Sequence, residues 1–63
     1  METILLFGFP AVVYRAPLLP GMLDRFWINV QIAPGVTLGT AHWFDHYNDA
    51  VQAIAEALGR IRQ

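Results

Sequence analysis

The chain has 63 residues, of which 56% are hydrophobic and 14% are charged, and its net charge at pH 7 is −1. Four arginines and no lysine are too few cations to neutralise a row of phosphates, so the composition argues against a nucleic-acid-binding protein. Cysteine is absent, which excludes disulfides and thiolate metal sites as sources of stability.

The apolar content is high for so short a chain. A single domain over residues 1–63 buries only about 60% of the surface of its unfolded chain, and oligomerisation is the remaining common means of adding stability. We therefore expect a homodimer, or contact with another protein, to cover the surplus apolar surface. Glu2 stands where a signal peptide carries basic residues, and no stretch is apolar enough to span a bilayer. We expect a cytoplasmic protein without a membrane partner.

The first 16 residues predict either one strand or two. Residues 1–7 are apolar on both faces from Ile4 onward, as in a strand that is covered on two sides or lies in a subunit contact. After Gly8 and Pro10, residues 11–16 form a second strand or continue the first through a bend, because proline is tolerated at an edge or a bulge.

Residues 17–24 predict a loop, because they hold two prolines and a Pro-Gly pair and show no periodicity. Four of their side chains are large and apolar, namely Leu18, Leu19, Met22 and Leu23. We expect this loop to fold back over another part of the molecule or to meet a partner.

The clearest predicted strand covers residues 25–32, where side chains alternate between two faces. Its inner face holds Phe26, Ile28, Val30 and Ile32, and its outer face holds Trp27, Asn29 and Gln31. Pro34 and Gly35 suit a type II turn, so a hairpin follows. With these two as the loop, the returning strand places Thr37, Gly39, Ala41 and Trp43 inside and Leu38, Thr40 and His42 outside. A type II turn is not the preferred two-residue hairpin, and a one-residue slip would reverse these faces.

Residues 45–61 predict an amphipathic helix that packs on the inner face. Its apolar stripe recurs at spacings typical of a helix and consists of Tyr47, Val51, Ile54, Leu58 and Ile61. Asp45 is the expected N-cap, and Arg60 and Arg62 lie where positive charge favours the helix end. The predicted fold class is therefore α+β, with a three- or four-stranded antiparallel sheet and one C-terminal helix on one face.

The sequence holds little material for catalysis or metal binding. Serine, cysteine and lysine are absent, and a cap, a turn or solvent accounts for each acid, so we do not expect an enzyme. His42, Asp45 and His46 are residue types that bind zinc or nickel, but no fourth ligand is evident. We expect no metal and no cofactor. A metal- or ligand-binding protein that uses these three residues is the alternative, and a weak nucleic-acid binder that uses the four arginines is another.

The outer face of the predicted sheet is the clearest indication of a binding surface. Trp27 lies there beside His42 and Leu38 in the predicted register, and exposed aromatic residues commonly anchor protein contacts. The predicted protein interface consists of Arg25, Trp27, Asn29, Leu38 and His42.

The order of these features resembles the HicB-like antitoxin domain, a fragment of the ribonuclease H fold. The matching segments are residues 9–14, residues 26–30, the Pro34-Gly35 turn, Gly39, Asp49-Ala50 and residues 56–58. Family members usually carry an acid before the turn, where this chain has Ile32 and Ala33. The resemblance implies a non-catalytic, dimer-forming module that contacts another protein. We expect it to bind and block a partner, either as an antitoxin-like domain or as an inhibitor from a phage or mobile element, such as an anti-defence protein.

Overall fold

The structure is a computed structural model that describes residues 1–61, which form four strands and one helix. The strands are β1 (Glu2–Leu6), β2 (Phe9–Pro17), β3 (Asp24–Ala33) and β4 (Val36–Gly39), and the helix α1 covers Tyr47–Ile61. Each strand pairs antiparallel with the next in the order β1-β2-β3-β4. The helix packs on one face of this sheet, which confirms the predicted α+β fold in its four-stranded form.

β1 and β2 are separate strands joined by a two-residue turn. Leu6 pairs with Phe9, and the turn residues Phe7 and Gly8 have φ angles of 52° and 84°. Positive φ at both positions is the type I′ geometry, whose twist matches that of the paired strands. The alternative in which residues 1–16 form one bent strand is therefore wrong.

The turn between β3 and β4 has the predicted residues but not the predicted register. Pro34 and Gly35 form the turn, with Gly35 at a φ of 73°. A register shift between Gln31 and Ala33 then displaces the pairing of all earlier β3 residues. A type II turn does not match the twist of its flanking strands, and a β-bulge supplies the missing local twist.

This shift reverses the faces predicted for β4 and for the residue after it. Val30 lies opposite Leu38 and Asn29 lies opposite Gly39, so Leu38 packs against the core on the helix side and Gly39 lies on the outside. Thr40, predicted to be outside, is buried. The observed register is favoured because it places a leucine rather than a glycine against the helix.

Backbone hydrogen bonds keep the chain beside β3 after β4 ends. Thr40 N donates to the C=O of Ile28 at 3.0 Å. Phe26 and Phe44 exchange two bonds, with N···O distances of 2.7 and 2.9 Å. The segment that leads into α1 is therefore fixed to the centre of the sheet.

The core lies between the sheet and α1. Its buried apolar residues are Leu6, Ala11, Val13, Ile28, Val30, Ala50, Ile54 and Leu58. The helix contacts mainly β3 and also β4. Ile61, predicted to belong to the apolar stripe, is exposed, so the buried stripe ends at Leu58. Among the described residues, no helix has both the length and the apolar character needed to cross a membrane.

α1 begins at Tyr47, two residues later than predicted. The C=O of His46 accepts the N–H of Ala50 at 3.3 Å, which makes His46 the N-cap residue. The carboxylate of Asp45 instead faces Arg25, whose Nε lies 3.7 Å from Oδ1. The predicted capping role of Asp45 is therefore wrong by one position, and Arg62 lies outside the described residues.

Candidate functional site

One face of the sheet lies under α1, and no element within residues 1–61 packs on the other face. The pairings of Tyr14 with Trp27 and of Val12 with Asn29 place these four side chains together on the uncovered side. We define the outer face by its strand residues Thr3, Leu5, Pro10, Val12, Tyr14, Trp27, Asn29, Gln31, Thr37 and Gly39. These ten residues are uncharged, and Arg25, which lies opposite Ala16 with the same alternation, brings a charge to the border of the face. A partner over the ten residues would bury apolar and neutral polar groups without desolvating an ion.

Two tryptophans pack against each other on this side of the sheet. The ring centroids of Trp27 and Trp43 are 5.6 Å apart and the ring planes are at 85°, which is the edge-to-face geometry that aromatic pairs favour. Both rings are partly buried. The Nε1 of Trp27 is buried and has no acceptor within the described residues. Packing against Trp43, rather than a hydrogen bond, therefore holds the indole of Trp27 in place.

Gly39 provides the space in which Trp27 and Asn29 lie over β4. A Cβ at position 39 would lie against Oδ1 of Asn29 and 3.4 Å from Nε1 of Trp27. A glycine inside a strand commonly marks such a close approach. The sequence thus carried a signal for this arrangement, although the predicted register placed Gly39 on the other face.

The structure brings three of the predicted interface residues together. Trp27 and Asn29 share the outer face. Arg25 lies at its border, where Nη2 donates to the C=O of Trp43 at 3.4 Å. Trp43 was predicted to point inward, and its contact with Trp27 instead adds it to this surface.

The other two predicted interface residues are elsewhere. Leu38 lies on the helix side because of the register shift, so its predicted position on the outer face is wrong. His42 is exposed and packs against Phe44, with ring centroids 4.3 Å apart. Since Phe44 packs against the core, His42 is held at the segment before the helix rather than among the strand residues of the outer face.

Sequence reasoning missed all outer-face residues of β1 and β2, and the exposed large side chains among them are Leu5 and Tyr14. Leu5 is 76% exposed and Tyr14 is 37% exposed. Their placement follows from the pairing of β1 with β2 and of β2 with β3. The sequence left the number of N-terminal strands open, so it gave no register from which their faces could be assigned.

A second apolar surface lies at the β2–β3 connection, which we name the leucine loop (residues 18–23). Met22 N donates to the C=O of Leu19 at 3.1 Å, and Gly21 has a φ of 88°. With Pro20 at i+1 and Gly21 at i+2, this is the pattern of a type II turn. All four large apolar side chains are exposed, and Leu23 is the most exposed at 91%. The loop therefore leaves its large apolar side chains exposed and does not bury them against the core.

An open cavity of about 610 Å³ lies between the leucine loop and the start of α1. Its apolar lining comes from Leu18, Met22 and Leu23, and its polar lining includes Arg25 and His46. Both signs of charge are present because Asp24 and Asp45 also line it. The mixed charge gives no preference for a cationic or an anionic ligand.

Zinc or nickel is expected to leave the melting temperature unchanged. Within residues 1–61, no three His, Asp or Glu side chains converge on a position that could hold a metal ion. His42 packs against Phe44 and Asp45 faces Arg25. A ligand that binds only the folded state raises the melting temperature, so melting curves with and without metal test this directly. A rise that disappears in a His42→Ala/His46→Ala double variant would contradict the expectation.

Two arginines are already engaged with acidic side chains. Arg15 Nη2 lies 3.2 Å from Glu2 Oε1, and the Arg15 guanidinium lies 5.5 Å from the centre of the Phe26 ring. Arg25 faces Asp45. A phosphate backbone would have to compete with these contacts, which weakens the nucleic-acid alternative. Comparison with protein-family models, with curated proteins and with solved structures finds no match.

Proposed function

We propose that this protein is a non-catalytic protein-interaction module that binds and blocks a partner through the outer face of its sheet. One observation carries the proposal: the ten residues of the outer face are uncharged and uncovered within residues 1–61, with Arg25 at their border, and the Trp27–Trp43 pair packs on this side of the sheet. The sequence resemblance to HicB-like antitoxin domains supports the same mode of action. The protein then acts as an antitoxin-like domain or as an inhibitor from a phage or mobile element.

The residue types on the outer face suit a protein partner. Tryptophan and tyrosine contribute most to interface energies because they bury a large area with few rotatable bonds. Trp27, Trp43 and Tyr14 supply these rings, and Asn29 and Gln31 supply hydrogen-bonding groups beside them. A patch of apolar rings with a few neutral polar groups is typical of the buried centre of an interface.

The absence of reactive groups supports a role without catalysis. The chain has no serine, cysteine or lysine, so the common nucleophiles are missing. Glu2 and Asp45 each face an arginine, so these two carboxylates are already engaged. Binding is therefore the activity for which the side chains are suited.

A charge placed in the outer face is expected to weaken partner binding. Tyr14→Arg introduces a cation that must be desolvated when a partner binds. The affinity of the partner for this variant should be lower than its affinity for the wild type by about tenfold or more. Gln52→Arg adds the same charge at an exposed position of α1 and is the matched control. Partners are captured from the native host with the wild type, and their affinity for each variant is then measured by calorimetry.

The result has two readings that do not overlap. Loss of the same partner from Tyr14→Arg and from Trp27→Ala, with Gln52→Arg unaffected, supports the outer face as the binding surface. Melting curves establish that the variants are folded. If folded Tyr14→Arg and Trp27→Ala retain the partner with wild-type affinity, the proposal is wrong.

A further inference from the structure

The two edges of the sheet differ in how they are protected. β4 is four residues long, follows a register shift in its partner strand, and gives way to irregular chain after Gly39. β1 has five residues that pair in continuous register with β2. Lysine, proline and bulges are among the features by which natural proteins block edge strands, and β1 has none of these three.

The hydrogen-bonding groups that point out from β1 follow from its turn. Leu6 and Phe9 flank a two-residue loop, so they form a hydrogen-bonded pair. Along an antiparallel ladder, hydrogen-bonded residue pairs alternate with pairs whose two residues are not hydrogen-bonded to one another. Thr3 and Leu5 therefore belong to non-hydrogen-bonded pairs with β2, and their N–H and C=O groups point away from β2.

The pairing of Pro10 agrees with this alternation. Pro10 lies opposite Leu5, so its own N would face β3, and proline has no N–H to donate. The β2–β3 ladder accordingly starts one residue later, at Ala11 opposite Val30. The open edge of β1 thus presents two donors and two acceptors, from Thr3 and Leu5, in a regular strand.

The side chains along this edge add no obstacle to pairing. Leu5 and Thr3 are exposed on the outer face, and Ile4 is partly buried on the helix side. The single charge on β1 belongs to Glu2, which is paired with Arg15. α1 contacts mainly β3 and β4, so it leaves the approach to β1 open.

We propose that two copies of this chain pair antiparallel through β1 about a two-fold axis at Ile4, which joins their sheets into one of eight strands. Ile4 then lies opposite Ile4 of the partner subunit, and Thr3 lies opposite Leu5 of the partner subunit. This register pairs all five β1 residues and makes four backbone hydrogen bonds. Glu2 lies opposite Leu6 of the partner subunit, at the far end from the partner's Glu2, so the two acids do not repel each other.

A second copy fits this edge because the strand is complementary to itself. The donors and acceptors of Thr3 and Leu5 stand one residue on either side of Ile4, so the same strand, rotated by half a turn, supplies their partners. The pairing also brings the exposed Leu5 side chains of both copies onto one continuous outer face. The edge contact uses backbone groups of β1, whereas the proposed function uses side chains of the outer face, so this inference and the proposed function fail independently.

Single-cysteine variants test the register. The chain has no cysteine, so each variant has one thiol. In the proposed pairing the two position-4 Cα atoms are about 4.5 Å apart, within the range that a disulfide spans. The two position-5 Cα atoms are on the order of 8 Å apart, which is beyond that range. Under mild oxidation, Ile4→Cys should form a covalent dimer and Leu5→Cys should not, although position 5 is the more exposed.

Equal or preferential cross-linking of Leu5→Cys would overturn the register. Absence of a covalent dimer from Ile4→Cys, together with a monomer mass for the wild type by light scattering at 100 μM or so, would overturn the pairing. An extended peptide or another protein on this edge would give that monomer result, since the purified chain has only itself to bind.

Leu5→Pro tests the backbone bonds. It removes an N–H that the β1–β2 ladder does not use, and proline is tolerated on an edge strand at such a position. Leu5→Thr changes the side chain and keeps the N–H. The dimer dissociation constant, measured by sedimentation, should rise about tenfold or more for Leu5→Pro relative to Leu5→Thr. A folded Leu5→Pro that dimerises as well as Leu5→Thr would contradict the proposal, and if Leu5→Pro does not fold, the cysteine pair decides.

Discussion

Ile54→Ala is expected to lower the free energy of unfolding by about 2–5 kcal/mol, which is the cost of a cavity in a packed core. Ile54 has no exposed surface and is among the largest fully buried side chains, on the helix face that covers the sheet. A domain of this length has a total stability of roughly 3–9 kcal/mol. The substitution should therefore remove a large fraction of the stability of the domain.

Urea denaturation followed by tryptophan fluorescence measures this effect. Ile61→Ala is the matched control, because it makes the same change in the same helix at a residue that is 55% exposed. We expect it to change the free energy of unfolding by about 0.5 kcal/mol or less. Similar effects from both variants would show that α1 is not held to the sheet by the buried stripe described above.

Thr40→Val is expected to lower the free energy of unfolding by about 1–3 kcal/mol, because it leaves a buried donor without an acceptor. The Thr40 hydroxyl accepts the N–H of Ile28 at 3.4 Å, while Thr40 N donates to the C=O of Ile28 at 3.0 Å. β4 ends at Gly39, so the hydroxyl takes the place of the next backbone acceptor. Valine has nearly the shape of threonine, and the loss therefore reports the hydrogen bond.

Amide hydrogen exchange distinguishes this bond from a general loss of stability. In Thr40→Val, the N–H of Ile28 should exchange faster relative to its neighbours in β3. Thr40→Ser removes a methyl group but keeps the acceptor, so the relative protection of Ile28 should remain. If the N–H of Ile28 is equally protected from exchange in both variants, the Thr40 hydroxyl is not the acceptor of that N–H.

The elements of the fold were predictable because each has a strong local pattern. Residues 25–32 alternate with a period of two, and Ile54 and Leu58 belong to a helical stripe. The strand β3 and the helix α1 agree with these predictions. The Pro34-Gly35 turn was also predictable, since its two residues fix the backbone angles of a type II turn.

The register of the β3–β4 hairpin was not predictable from the same patterns. Side chains in a strand alternate with a period of two, so one extra residue in β3 moves Leu38 to the helix side and Gly39 to the outside. The residues of β4 are small or weakly patterned, and either face is plausible for them in isolation. Packing against α1 decides between the two, and that interaction is not visible in the local sequence.

The candidate site was predictable only where it depends on β3. Trp27 and Asn29 were placed on the outer face by the alternation of β3 alone. Trp43 and Leu38 depend on the register of the hairpin, and both were assigned to the wrong face. Leu5 depends on the pairing of β1, which is a contact between strands that the sequence left open.

The turn inside the leucine loop affects how readily this segment could bind another surface. A flexible loop loses conformational entropy when it becomes ordered on binding, by about 1–2 kcal/mol for each residue that is fixed. The hydrogen bond from Met22 to Leu19, the proline ring of Pro20 and the positive φ of Gly21 already restrict this segment before any encounter. If the leucines of this loop contacted another surface, little of the free energy gained by removing them from water would be lost to ordering the loop.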